Sequence, residues 1–298
     1  MYTVTEKKFL SENIFMMTVR APRVAKKCLP GQFVIVRADE RGERIPLTIC
    51  DYDSAIGTVT LVVQIIGAST FKLAKIGEGD CIEDIAGPLG VPSELISGAK
   101  NNAADIADKK IIFVAGGVGT APVYPQVKYL SEKGISCDVI IGAKTESAVI
   151  LKEETERYAE NVYVCTDDGS FGFKGLVTDK LAELAGGGKK YDVCVAIGPV
   201  IMMKFVSKLT EKLGIKQIVS MNPVMVDGTG MCGACRVTVG GAVKFACVDG
   251  PEFDGHEVDF DECMKRLSIY KTEEGRAYLK IKEGSTHHGG CGICGGDE

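Results

Sequence analysis

No stretch of this chain is apolar for long enough to cross a bilayer, so a membrane-spanning protein is not expected. Positive charge is not in excess either. The 35 Lys and Arg stand against 40 Asp and Glu, a net charge of −5, and the basic footprint of a nucleic-acid binder is missing. The opening residues, 1–8, lack the charged-then-apolar pattern of a secretory leader, which points to a cytoplasmic protein. No general acid, base and nucleophile stand in a recognisable constellation. Cysteine runs of the kind that hold a [4Fe–4S] cluster are absent. Cysteine itself is plentiful, with twelve residues. Cys28, Cys50, Cys81, Cys137, Cys165 and Cys194 are scattered singly, several in apolar strand-like runs, and are expected to be buried reduced thiols. The other six lie beyond residue 230, where metal chemistry is the stronger expectation.

The most informative stretch is 227–247. It reads Asp-Gly-Thr-Gly-Met-Cys-Gly-Ala-Cys and then, after eleven more residues, Cys247. Glycines at 228, 230 and 233 let a loop wrap tightly. Cys232 and Cys235 are spaced to converge on one metal centre, and Cys247 supplies a distant donor. A plant-type [2Fe–2S] loop would have its first cysteine where this chain has Asp227. The reading is a [2Fe–2S] cluster held by Asp227, Cys232, Cys235 and Cys247. The alternative is a zinc site built from Cys232, Cys235, Cys247 and Cys263, with Asp227 a turn residue.

A length of 298 residues suggests two or three domains. Up to about residue 90 the pattern is one of short strands, at 3–9, 14–19, 32–38, 48–52, 58–65 and 80–85, rich in Val, Ile and Thr with turn residues between. This predicts a small antiparallel barrel. A short helix is expected at 69–75; at its start, Gly67-Ala-Ser69-Thr70 offers free backbone N–H groups to a phosphate. From residue 111 strands and helices alternate. An apolar strand at 111–115 runs into Gly116-Gly117-Val-Gly119-Thr120-Ala-Pro122 and a helix at 123–133, the geometry that sets a pyrophosphate on a helix N-terminus. Further strands are expected at 137–143, 162–166 and 193–197, with helices at 148–158 and 176–185. Gly119 is the expected point of close approach to the pyrophosphate.

The glycine loop lacks the third glycine of the dinucleotide fingerprint and has Pro122 there. A barrel followed by an α/β domain with Gly-Gly-x-Gly-x-x-Pro resembles the ferredoxin–NADP reductase superfamily. With the cluster loop added, the order resembles the electron-transfer subunits of class B dihydroorotate dehydrogenase over roughly residues 1–265. Asp227, where that family is expected to have cysteine, is similar to one branch: the small subunits of electron-bifurcating NADH-dependent reduced ferredoxin:NADP oxidoreductases. The resemblance implies FAD, NAD(H) and a [2Fe–2S] cluster as cofactors. It implies three domains: an FAD-binding antiparallel β-barrel (1–100), an NAD-binding α/β domain (101–220), and a small C-terminal [2Fe–2S] domain with the tail (221–298). It implies flavin contacts from Arg44, Pro46, Leu47 and Thr48, with Leu47 replacing the superfamily's aromatic and Arg44 one residue early, and from Gly67, Ser69 and Thr70. Nicotinamide-nucleotide contacts are implied for Gly116, Gly117, Gly119, Thr120, Pro122, Asp167, Asp168, Gly198 and Pro199. Ile197 stands where the superfamily has a cysteine, and Cys194 is expected in the core. The segment after the second α/β strand, Lys144-Thr-Glu146, has no arginine for a 2′-phosphate, which favours NAD(H).

The implied partner is a larger FAD/[4Fe–4S] subunit that handles NADP(H) and ferredoxin. Rival roles are electron transfer for dihydroorotate or sulfide/polysulfide oxidation, and a non-catalytic redox sensor. Residues 260–282 read as helical, packing on the barrel or the nucleotide domain. The Gly-rich end with His287, His288, Cys291 and Cys294 reads as a flexible tail, although it could catch a metal.

Overall fold

A computed structural model describes residues 1–96, 106 and 108–283. The histidines and cysteines of the tail, and the expected boundary at residue 100, lie outside the described residues. The first part forms β1 (Tyr2–Ser11), β2 (Ile14–Arg20), the short helix α1 (Pro22–Ala25), β3 (Phe33–Arg37), β4 (Arg44–Asp53), β5 (Thr58–Gln64), helix α2 (Ala68–Lys75), β6 (Cys81–Ile82) and β7 (Asp84–Leu89). The strands order as β6-β1-β2-β5-β4-β3-β7, antiparallel in every pairing. Only Glu83 separates the two end strands in sequence, so the sheet curls almost shut into a barrel.

β3 explains how the barrel is joined to the rest. Its Phe-Val-Ile-Val is apolar at every position because both faces are covered. Val34 and Val36 face inward, against Phe15, Met17 and Leu61. Phe33 and Ile35 face outward and pack with Met225, Cys235 and Cys247 of the C-terminal segment. Burying each side chain is worth about 1.5–3 kcal/mol, so the outer pair is a substantial anchor. β4 is shared between neighbours: its first half pairs with β3 and its second half with β5, with a bulge around Cys50.

The second part is a sheet ordered β11-β10-β9-β8-β12-β13-β16. Its elements are β8 (Ile111–Gly116), α3 (Thr120–Glu132), β9 (Cys137–Ala143), α4 (Lys152–Glu156), β10 (Asn161–Thr166), β11 (Phe173–Lys174), α5 (Val177–Gly186), β12 (Val193–Ile197), α6 (Val200–Leu213) and β13 (Lys216–Ser220). All pairings are parallel up to β13. A hairpin of β14 (Arg236–Val239) and β15 (Ala242–Phe245) follows, then β16 (Glu252–Asp254), α7 (Phe260–Leu267) and α8 (Lys271–Glu283). β16 pairs antiparallel with β13, so the C-terminal segment contributes an edge strand to the nucleotide-domain sheet.

Three local expectations need correction. The helix expected at 148–158 shrinks to α4, because Ile150 and Leu151 turn into the interface with the barrel and Leu151 adopts a left-handed backbone. α6 was not anticipated, although Val200, Met203, Val206 and Thr210 form a buried stripe at helical spacing and Gly214 closes it with φ +66°. Cys81 is exposed, whereas the other five scattered thiols are buried.

A buried carboxylate pins the lower end of the α/β sheet. Asp138 accepts from Lys189 Nζ (2.7 Å), Tyr191 Oη (2.6 Å) and Asn161 Nδ2 (2.7 Å). Burial pushes its pKa up, but the Lys189, Tyr191 and Asn161 hydrogen bonds outweigh that and leave it below the ordinary carboxylate value. A depressed folded-state pKa gives stability that is present above the unfolded carboxylate value and is lost as pH falls through the folded one. Asp138→Ala is therefore expected to cost about 2–3 kcal/mol at neutral pH. The deficit should narrow as pH falls below about 4. Urea denaturation of parent and variant at two pH values checks both statements.

Candidate functional site

The loop before β14 rests on the outer face of the barrel. Gly228 makes the seat possible: its φ is +77°, and a Cβ there would stand 2.8 Å from Leu89 Cδ1 and 2.9 Å from Ile35 Cγ1. The four expected donors form two pairs, three of them from this loop and Cys247 from just beyond β15. Asp227 Oδ1 accepts from Cys232 Sγ at 3.1 Å, and Asp227 Oδ2 accepts from Thr229 Oγ1 (3.0 Å) and the Met231 N–H (3.2 Å). Cys235 Sγ lies 3.1 Å from Cys247 Sγ, with both thiols buried. Cys232 is exposed, so one pair is at the surface and the other beneath it.

The donor set of the pairs, one carboxylate and three thiols, suits a metal centre. The hydrogen bond from Cys232, with those from Thr229 and Met231, holds the Asp227 carboxyl down at about 2, so it is an anion. Burial first, and then the Cys235 thiol beside it, push the Cys247 thiol up. Thiolates there need a cation to balance them, which is how metal binding drives deprotonation. Cys263, the fourth donor of the zinc alternative, is buried in a different apolar cluster, with Val237 and Phe260. One oxygen and three sulfurs in two pairs suit a two-iron centre with two terminal donors on each iron.

β4 leads from this loop to the nucleotide domain. Arg44, expected at a flavin phosphate, instead donates to the Val226 (Nε, 3.3 Å) and Asp227 (Nη2, 3.5 Å) carbonyls and pairs with Asp84 at 3.6 Å. Leu47 lies with Ile45 against the barrel core, while Pro46 and Thr48 are half-exposed. At the far end, Asp51 takes both bonds from Lys128 of α3, at 2.9 and 3.0 Å. Cys50, Ile14 and Val62 pack there with Ala121 and Val118, so the glycine loop meets the barrel just beyond Thr48. At the start of α2, Thr70 Oγ1 accepts from the Ile66 and Gly67 N–H groups, Ser69 Oγ donates to the Glu43 carboxylate, and Gly67 faces open space.

In the α/β domain the chain leaves β8 toward β9 on one side and returns through β12 on the other. Ligands in such sheets bind where the order reverses, outside the carboxyl ends of the strands. The loops after β8 and β12 meet there. A Cβ on Gly119 would stand 2.2 Å from the Ile197 carbonyl oxygen, and one on Gly116 would stand 2.9 Å from Pro199 Cδ. Gly119 is therefore required by the neighbouring strand end, with Gly198 beside it, rather than by the open cradle. Gly117, with φ +55° and nothing within 4 Å of its Cβ position, borders that cradle. Thr120 Oγ1 donates to the Gly117 carbonyl at 3.0 Å, and Pro122 lies in the first turn of α3. After β10, Asp168 is held by the N–H and Oγ of Ser170 (3.0 and 2.7 Å), Asp167 is exposed, and Cys194 is buried in the core. The Asp51–Lys128 pair and the Arg44 contacts carried no sequence signal, because their partners lie 77 and more than 180 residues away.

Comparison with known proteins follows the same division. Residues 222–259 match the iron–sulfur cluster binding domain of dihydroorotate dehydrogenase B, and residues 113–208 match the oxidoreductase NAD-binding domain. A Thermotoga maritima protein described as a homologue of the electron-transfer subunit of dihydroorotate dehydrogenase B (NAD(+)) is 45% identical, over 93% of this chain and 94% of its own. That subunit in Geobacillus kaustophilus is 33% identical, over 86% of this chain and 96% of its own. A chain in the structure of the NADH-dependent reduced ferredoxin-NADP oxidoreductase, solved for flavin-based electron bifurcation, is 43% identical. It superposes with a TM-score of 0.86 over 95% of this chain and 98% of that one.

The two loop glycines should behave differently. Gly119→Ala pushes a methyl into backbone that cannot move aside, and a stability loss of at least about 2 kcal/mol is expected. Gly117→Ala carries about 1–2 kcal/mol of backbone strain but meets no neighbour. Its methyl enters the cradle, and NADH affinity should fall about tenfold or more while the fold is kept. Thermal melts and NADH titrations of both variants test this; parent-like NADH affinity in Gly117→Ala would move the nucleotide off this loop.

Proposed function

The chain belongs to the family of dihydroorotate dehydrogenase B electron-transfer subunits, and from that premise we propose that it serves in flavin-based electron bifurcation, involving reduced ferredoxin, NADH and NADP. In this reading it exchanges a hydride with NAD(H) and single electrons with a partner flavoprotein subunit. When bound, FAD interconverts two-electron and one-electron transfer and the [2Fe–2S] cluster relays single electrons. The observation that carries the bifurcating branch is Asp227 among the four gathered donors, beside the 43% identity to the bifurcating oxidoreductase.

The chain's own residues divide the work. Asp227, Cys232, Cys235 and Cys247 would hold the cluster, the Asp227–Cys232 pair lying at the surface and the Cys235–Cys247 pair beneath it. The N–H groups of Ser69 and Thr70 at the start of α2 would receive flavin phosphate, with Gly67 leaving the space beside them open. Thr48 offers its hydroxyl to the flavin ring, with Pro46 and Leu47 shaping that stretch of β4. Arg44 ties β4 to the cluster loop. Gly116, Gly117, Gly119 and Thr120 present the N-terminus of α3 to the NAD(H) pyrophosphate, Pro122 needs no N–H there, and Gly198 and Pro199 close the opposite side. Asp167 and Asp168 border the nucleotide after β10. The domain division at about residues 100 and 220 belongs to the same proposal, with β16 reaching back into the nucleotide sheet.

The partner is proposed to be a larger FAD/[4Fe–4S] subunit that handles NADP(H) and ferredoxin. Met231, 89% exposed beside Cys232, with Val226 and Val248 also exposed, supports a protein contact near the outer donor pair. No described helix is long and apolar enough to cross a membrane, and a cytoplasmic location is proposed.

Two measurements test the proposal. Anaerobically purified protein should yield FAD, iron and acid-labile sulfide, and zinc in place of iron would defeat the cluster assignment. Asp227→Cys should keep a cluster with an altered EPR signal and midpoint potential, whereas Asp227→Ala should leave it labile or absent with FAD and NADH binding retained. Parent-like signals in both variants would remove Asp227 from the ligand set and return the protein to the dihydroorotate branch.

A further inference from the structure

Two arginines grip the cluster loop from behind. Arg236, next to Cys235, donates Nη1 to the Gly233 carbonyl at 3.4 Å. Arg266, in the last turn of α7, donates Nη2 to the Ala234 carbonyl at 3.0 Å. Both carbonyls lie between the donors Cys232 and Cys235. A planar trans peptide points its N–H opposite to its C=O, so holding the Ala234 carbonyl toward α7 turns the Cys235 N–H away from it.

α7 is a firm base for this grip. Asp259 caps it, accepting from the Glu262 N–H at 2.9 Å, and the Asp259 N–H reaches the Thr238 carbonyl at 2.9 Å. Thr238 Oγ1 donates to Glu262 at 2.5 Å, and Phe260 and Cys263 are buried beneath β14 with Val237 and Val239. The helix is thus tied by hydrogen bonds and apolar packing to the strand leaving the cluster loop.

Arg266 makes no contact ion pair among the described residues: Asp261 is taken by Lys204 at 2.6 Å, and Glu262, one turn earlier on α7, keeps its charge but turns its carboxylate to Thr238 Oγ1. Its Nε is buried without an acceptor. A half-buried cation without a contact counter-ion is costly unless negative charge nearby offsets it. Asp227 and three thiolates around a [2Fe–2S] cluster make a net-negative centre, and one-electron reduction makes it more negative.

We propose that Arg266 is a positioning residue for the cluster, whose fork fixes the Ala234–Cys235 peptide and whose charge beside the cluster loop raises the cluster's reduction potential. The inference rests on the cluster reading above. Charge close to a cluster and hydrogen bonding around its sulfurs are established levers on potential. Loss of one charge near such a cluster is worth on the order of a tenfold change in the reduction equilibrium.

The test is potentiometric EPR on the full chain and on Arg266→Gln and Arg266→Lys, after iron and sulfide analysis of each. Parent protein without iron and sulfide would defeat the cluster reading itself. With a cluster in the parent, Arg266→Gln should shift to lower potential, its reduction constant falling on the order of tenfold. Arg266→Lys keeps the charge and loses the fork. Its potential should stay within about twofold of the parent in the same constant, and its cluster should be lost faster to a chelator. A parent-like potential in Arg266→Gln overturns the proposal. Should that variant hold no cluster, Arg266→Lys decides: a parent-like potential supports the proposal, and a tenfold drop overturns it.

Discussion

The arrangement depends on one strand being covered on both faces. β3 carries barrel core on its inner side and the cluster loop on its outer side, through Phe33 and Ile35. Beside it, β4 begins at Arg44 under the cluster loop and ends at Asp51 against α3. At about 3.3 Å per residue, the seven-residue separation spans roughly 23 Å. Electron relay needs its stations held at fixed separations, and a hydrogen-bonded strand in a nearly closed barrel is a rigid spacer. The Asp51–Lys128 pair and the apolar contacts around Cys50 fix one end, and the Arg44 contacts fix the other. Neither end depends on a flexible linker.

The cluster loop is asymmetric. Cys235 and Cys247 are buried against the barrel, whereas Cys232 is exposed and Asp227 lies with it at the surface. The exposed pair mixes a hard oxygen with a sulfur, and the buried pair is sulfur only. Donor type and solvent exposure both act on potential. The two irons would therefore differ even before a partner arrives, with the mixed pair on the side where Met231 is exposed.

Much of this was readable from sequence because it rests on local pattern. The strands of the barrel, the strand–glycine loop–helix of the nucleotide domain and the spacing of Asp227, Cys232, Cys235 and Cys247 all depend on neighbours in the chain. What was not readable rests on distant contacts. Arg44 looked like a phosphate ligand until its carbonyl partners on the cluster loop were seen. Gly119 looked like the point of approach to a pyrophosphate, but the end of β12 claims that space and Gly117 borders the cradle. The helix at 148–158 was cut short by burial of Ile150 and Leu151 against the barrel, a tertiary effect that overrides local propensity. α6 is different: its buried stripe was present in the sequence, and only its reading was missed.

The central claim is that an aspartate and three cysteines hold a two-iron cluster, one mixed pair and one sulfur pair. Mössbauer spectroscopy of oxidised protein grown on enriched iron addresses it most directly. Two ferric sites in equal amounts are predicted, distinguishable because one carries the Asp227 oxygen and the other only sulfur. A single ferric environment, in which both irons have the same donors, would contradict the assignment.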